Sequence, residues 1–216
     1  MVHLLHLDSS PRSFSPTGSN QSITRMLTQE FVTVWKTEHS DKTVTYRDLG
    51  HHPVPPIDEP WIAAAYTPAE QRSPALVNAL QTSDKLVDEF LAANICVFGI
   101  PMYNFSVPSA FKAYIDQIVR VGRTFAVDTN GFRGLADGRK IVVITARGGN
   151  FRPGTPFADY DYQEPYLRII FGFMGITDVQ FIHCDRLNPI TSDEATRTQS
   201  IAEARAAIKK LAMSSL

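Results

Sequence analysis

A chain of 216 residues with a formal net charge of −1 is long enough to bury a large core in one domain, residues 1–216. Its even charge balance argues against nucleic acid or an anionic membrane as partner. The two cysteines, Cys96 and Cys184, lie in apolar runs with no metal-like spacing, as buried thiols in a reducing cytosol do. The segment Met1–Asp8 lacks the features of a leader peptide, and no apolar run approaches the roughly 18 residues of a membrane span, so a soluble cytoplasmic protein is expected.

Strand-like and helix-like segments alternate along the chain. Val2 to Leu7 is a short apolar run suited to a central strand. Ser22 to Glu38 sets Ile23, Met26, Leu27, Phe31 and Val34 on one helical face. A second strand is predicted over 44–46, and a helix over 73–93 carries Leu76, Leu80, Val87 and Leu91. Then come a strand over 95–100, a helix over 109–120, a strand over 141–144, a short helix over 165–174 and a strand over 179–183. The last helix opens near Thr191-Ser192-Asp193-Glu194, a capping-box pattern, and carries Ile201, Ala204, Ile208 and Leu211 on one stripe. Five strands with intervening helices predict an α/β three-layer sandwich around a five-stranded parallel sheet, with the flavodoxin-like order 2-1-3-4-5. Three connections are long: 50–72, 122–140 and 147–164. Such loops in a compact domain are usually functional.

Three loops converge on one edge of such a sheet. The first, Asp8 to Asn20, is dense in hydroxyls and leads into a helix amino terminus, which suits a phosphate. Without lysine and the glycine triplet it is neither a Walker A loop nor G-x-G-x-x-G, and by itself it reads equally well as an ordinary helix cap. The second, Pro101-Met102-Tyr103-Asn104-Phe105-Ser106-Val107-Pro108, sets two aromatics and an amide after a strand, a wall for a flat ring with polar edges. The third, Thr145-Ala146-Arg147-Gly148-Gly149-Asn150, offers paired glycines for close backbone approach, or a plain turn. Together the loops describe an FMN site. His51-His52 has no third partner at metal-ligand spacing, and His3, His6 and His183 sit in strand-like runs as core or edge residues. A Cys-x5-Arg phosphatase signature fails because Met102 stands where the arginine belongs.

The stretch 101–109, its continuation through Lys112-Ala113-Tyr114-Ile115-Asp116 to Thr124-Phe125, the serine-rich first loop, Ala146-Arg147-Gly148-Gly149, and Phe171-Gly172-Phe173-Met174-Gly175-Ile176-Thr177-Asp178-Val179 closely resemble the bacterial FMN-dependent NADH-azoreductase and NADH:quinone oxidoreductase family, some of whose members carry acyl carrier protein phosphodiesterase names. The resemblance implies FMN contacts from Ser10, from Thr17, Gly18 and Ser19, from Met102, Tyr103, Asn104 and Phe105, and from Ala146, Arg147, Gly148 and Gly149. The chain departs from the family pattern at Thr17, where a hydroxyl is kept. At Ala146 a serine hydroxyl is lost, with the worth of about 1 kcal/mol in a hydrogen bond.

The resemblance also implies a homodimer and a ping-pong cycle. Hydride passes from NADH or NADPH to flavin N5, then to a quinone or an azo compound, without a catalytic residue of the protein. Asn104, Gly148 and Gly149 are expected to tune the flavin. Phe125, Phe151, Phe157, Tyr160 and Tyr162 are expected to wall the substrate pocket, and Arg12, Arg123 or Arg152 to meet a dinucleotide phosphate. The competing reading is a flavodoxin-type electron carrier, against which stand the near-neutral charge and the long loops.

Overall fold

The strands form where runs of Leu, Ile, Val and Phe are bounded by loops, and the helices where an apolar stripe can lie on the sheet they make. The structure, a computed structural model, describes residues 2–15, 21–38 and 42–214. Five parallel strands pair in the order β2-β1-β3-β6-β7: β1 (His3–Asp8), β2 (Thr43–Asp48), β3 (Ile95–Pro101), β6 (Lys140–Ala146) and β7 (Asp178–Cys184). Residue pairs such as Leu5 with Cys96 and Val97 with Val142 fix the register. Every residue of β3 is buried, as expected of a parallel strand covered on both faces.

The sheet is the predicted parallel one, but its strands are not the first five along the chain. A two-stranded antiparallel hairpin, β4 (Phe125–Asp128) and β5 (Gly131–Gly134), occupies what the sequence presents as a loop. Four-residue strands with charged and glycine residues carry too little alternation to be read from sequence. The segment 50–72 likewise contains a helix, α2 (Glu59–Tyr66), capped by the Asp58 carboxylate accepting from the Trp61 N–H. The proline-rich run before it is pinned: Val54 is buried, and the Pro55 carbonyl accepts from Gln117 Nε2.

Helices α1 (Ile23–Glu38) and α6 (Glu194–Met213) pack on one face of the sheet with Leu4, Val97, Val142 and Ile144. Helices α3 (Pro74–Ala92), α4 (Ser109–Ile118) and α5 (Glu164–Phe173) cover the other, around Leu5, Phe98 and Val143. The buried face of α1 is rotated from the predicted stripe. Leu27, Phe31 and Trp35 are in it, but so are Thr24, Arg25 and Thr28, whereas Ile23, Met26 and Val34 are only partly buried. The cause is polar: Thr28 Oγ1 donates to the Asp8 carboxylate at 2.9 Å. Gly99 beside it has no room for a Cβ between Asp8 and Thr28. Among the described residues no helix is long and apolar enough to cross a membrane.

Candidate functional site

Strand order reverses between β1 and β3, and the loops leaving their carboxyl ends part there to open a cleft of about 680 Å³. Four segments build it: Ser10 and Arg12 after β1, Gln21 to Thr24 at the start of α1, Pro101 to Tyr103 after β3, and Ala146 to Gly148 after β6. Leu187 to Pro189 after β7 and Arg197 of α6 close the far side. This is a usual volume for a cofactor pocket.

The first wall owes its shape to a buried cation. Arg25 is 6 % exposed, and its guanidinium donates to the Ser10 carbonyl at 2.6 and 3.2 Å and to the Arg12 carbonyl at 2.8 Å. It also pairs with Asp48 at 2.5 Å and reaches the Tyr46 hydroxyl at 2.9 Å. Burial alone would push the Asp48 carboxyl up, but hydrogen bonds from Arg25 and His51 outweigh it and hold the group at about 2. The loop thus hangs from α1 by its own carbonyls, beside a helix amino terminus where Ser22 Oγ accepts from the Arg25 N–H. Ser9 is not a cleft residue: its hydroxyl donates to the Gly99 carbonyl and ties β1 to β3.

The second wall is a tight turn. The Tyr103 N–H donates to the Ser106 carbonyl and the Ser106 N–H to the Tyr103 carbonyl, both at 3.0 Å, leaving two residues at the tip. Asn104 has φ 49° and Phe105 φ 69°. Left-handed φ at both central positions is the geometry of a type I′ turn, in which Asn is at home and Phe is not. A bulky residue there costs about 1–2 kcal/mol.

The third wall is stitched to the loop after β7. The carbonyls of Arg147, Gly148 and Gly149 accept from the N–H groups of Leu187, Asn188 and Arg186. The N–H groups of Gly148 and Gly149 find no acceptor among the described residues. They remain free for a ligand. The Arg147 side chain points elsewhere: it is 1 % exposed and pairs with Asp185 and Asp161.

The residues expected to act together are divided by this geometry. Ser10, Met102, Tyr103, Ala146, Arg147 and Gly148 line the cleft. Asn104, at the tip of the turn, lines a neighbouring hollow with Tyr103, Lys112 and Tyr166. Gly149 and Phe157 line a third hollow that shares Gly148 with the cleft. Thr17, Gly18 and Ser19 lie outside the described residues. Phe151 is buried, while Phe157, Tyr160 and Tyr162 are about half exposed or more. The rings of Phe105, Phe151, Phe157 and Tyr160 form one cluster, with centroids 5.5–6.2 Å apart.

Phe125 is in none of these hollows. It is 7 % exposed and packs the hairpin onto α5 through Phe173, at 4.8 Å between centroids. Arg123 pairs with Asp84 and Asp88 of α3, and Arg152 with Asp185; only Arg12 of the three arginines lines the cleft. His51 bonds Asp48 at 2.8 Å, and His183 sits between Thr145 and Glu164. Among the described residues no three His, Cys, Asp or Glu side chains gather as a metal site would require. Sequence reading missed Arg25, whose position within an apolar helix pattern was its only signal.

An FMN fits what is present. A helix amino terminus with hydroxyls suits its phosphate, Tyr103 and Met102 a flat ring, and two unpartnered N–H groups the polar edge of that ring. A parallel sheet with its cleft at the point of strand reversal defines the flavodoxin-like class of α/β proteins. The chain belongs to the family whose profile, described as a flavodoxin-like fold, matches residues 2–211. It is 58 % identical over 209 residues to an FMN-dependent NADH:quinone oxidoreductase 2 of Trichormus variabilis, covering 96 % of this chain and 97 % of the relative. It is 57 % identical over 209 residues to an FMN-dependent NADH:quinone oxidoreductase of Nostoc punctiforme, with 97 % of each chain covered. The fold is also that of an FMN-dependent NADH-azoreductase of Bacillus anthracis solved in complex with FMN. The TM-score is 0.83 at 24 % identity, over 98 % of this chain and 100 % of the other.

Proposed function

We propose that this chain is an FMN-dependent NADH:quinone oxidoreductase that also cleaves aromatic azo compounds reductively, folded as a single domain over 1–216 and acting in the cytoplasm as a homodimer. The observation that carries this reading is the name shared by relatives 57–58 % identical over nearly the whole chain. The cleft supports it with a donor set suited to FMN. The buried thiols Cys96 and Cys184 suit a reducing compartment.

The chemistry supplied by bound FMN is two-electron hydride exchange between a reduced nicotinamide and a quinone or azo acceptor. The residues bind and orient. The amino terminus of α1, with Ser10 and Ser22, would hold the phosphate; for Thr17, Gly18 and Ser19, outside the described residues, the same role rests on the resemblance alone. Met102 and Tyr103 would flank the ring, and the free N–H groups of Gly148 and Gly149 would stabilise negative charge at the ring's edge, as preorganised donors do. Phe157, Tyr160 and Tyr162, exposed on the Phe105 side of the turn, stack on incoming aromatic rings and keep water from them.

The test is a visible spectrum of the purified protein, followed anaerobically by one equivalent of NADH and then by benzoquinone. A yellow band that bleaches with NADH and returns with quinone is expected. A flavin that binds but ignores NADH would instead mark an electron carrier, and a protein that takes up no FMN would overturn the assignment of the cleft.

A further inference from the structure

The tip of the turn after β3 sits in a conformation that Phe105 does not favour, and something must hold it there. Phe105, at φ 69°, is fastened in two ways. Its carbonyl accepts from the Tyr162 N–H at 3.1 Å. Its ring meets Phe151 and Tyr160, with centroids 6.2 and 5.5 Å away.

Both fastenings lead back to one buried side chain. The Arg147 guanidinium donates Nη1 to Asp161 at 2.8 Å, immediately before Tyr162. The other oxygen of Asp161 accepts from the N–H groups of Gln163 and Glu164, both at 3.0 Å, and so starts α5. Arg147 also lies over the Phe151 ring, 5.6 Å from its centroid. Two further donors grip Asp185 at 2.5 and 3.1 Å, which fixes the guanidinium plane. The planar fork makes three directed bonds and a ring contact at once, which a lysine ammonium cannot reproduce.

We propose that Arg147 is a positioning residue: through Asp161 and Phe151 it clamps Phe105 in the left-handed conformation and so sets the Met102–Phe105 wall against which the cofactor lies. The proposal rests on the assignment of FMN to the cleft. The Arg147 guanidinium is turned into the protein, 1 % exposed, and acts on the wall through Asp161 and Phe151. A glycine at position 105 would adopt the same φ without steric cost, so the turn would no longer need the clamp.

That difference makes the test. FMN dissociation constants are measured by flavin fluorescence quenching for the wild type, Arg147→Lys, Phe105→Gly and the double variant, with visible circular dichroism of the bound flavin. Asp161→Asn, alone and with Phe105→Gly, serves as the second series should Arg147→Lys not fold. The expected result is FMN binding weakened by about 5- to 30-fold in Arg147→Lys, with a changed dichroic band. In the Phe105→Gly background the further loss is expected to fall below about threefold, a coupling that a merely structural role would not produce. Equal losses in both backgrounds, or wild-type affinity in Arg147→Lys, would overturn the clamp while leaving FMN in the cleft. A wild type that binds no FMN would overturn the assignment of the cleft itself.

Discussion

Two buried arginines, Arg25 and Arg147, hold opposite walls of the cleft and do so differently. Arg25 spends its donors on the carbonyls of Ser10 and Arg12 as well as on Asp48, so the first loop hangs directly from the guanidinium. Arg147 spends its donors on two carboxylates and its face on a ring, and reaches the Met102–Phe105 turn only through them. A wall gripped by its backbone has one shape. A wall held through side chains stores the strain of Phe105 and can be retuned by changing a neighbour.

The largest break in this comparison is Arg25→Met. It leaves Asp8 and Asp48 without their buried cation, and loss of one partner of a buried pair costs about 3–5 kcal/mol. Urea unfolding is expected to show that loss. Gly50→Ala comes next, since a Cβ there would overlap the Ser10 carbonyl and crowd Arg25. About 1–3 kcal/mol of stability is expected to go, with weaker FMN binding, because the first wall cannot yield without moving backbone. Wild-type melting and affinity would show that this wall is softer than its bonds imply.

Acid should destabilise the fold, and with it the first wall, which Asp48 supports through Arg25. Asp48 and Glu164 are each held at about 2, Glu164 by its hydrogen bond with His183, with help from Arg168, against the opposing effect of burial. A carboxyl whose folded pKa lies below its unfolded value contributes stability that is full above about pH 5 and is lost as pH falls through 4 toward 2. The urea midpoint is therefore expected to drop across that window, and Asp48→Asn or Glu164→Gln should each flatten part of the slope. The smallest effect is expected for Arg152→Ala. Arg152 also bonds Asp185, at 2.8 Å, but its side chain is half exposed. Less than about 1 kcal/mol should be lost in thermal or urea melts, which would assign the hold on Asp185 to Arg147.

Much of this arrangement was legible beforehand. The runs 95–100 and 141–144 read as buried strands because nothing polar interrupts them, and both are central in the sheet. The loops after β1, β3 and β6 were read as one site because a doubly wound order brings them together, and they share the cleft. Within this chain Phe125 packs the hairpin onto α5, which sequence alone does not reveal because an aromatic in a long connection looks alike whether it faces a ligand or a helix. Asn104 lines the hollow that shares Tyr103 with the cleft, and that placement follows from a left-handed backbone at 104 and 105 that no sequence pattern announces.

By itself the sequence determined the five strands of the parallel sheet, the five helices that cover it and the three loops at its carboxyl edge, but neither the β4–β5 hairpin nor α2. These depend on local apolar periodicity, which a window of a few residues records. Only the tertiary structure decided which charged side chains go inside. Arg25 meets Asp48 across 23 residues and Arg147 meets Asp185 across 38. Burying a cation is tolerable only where distant carboxylates arrive at bonding distance, and no local pattern records that arrival.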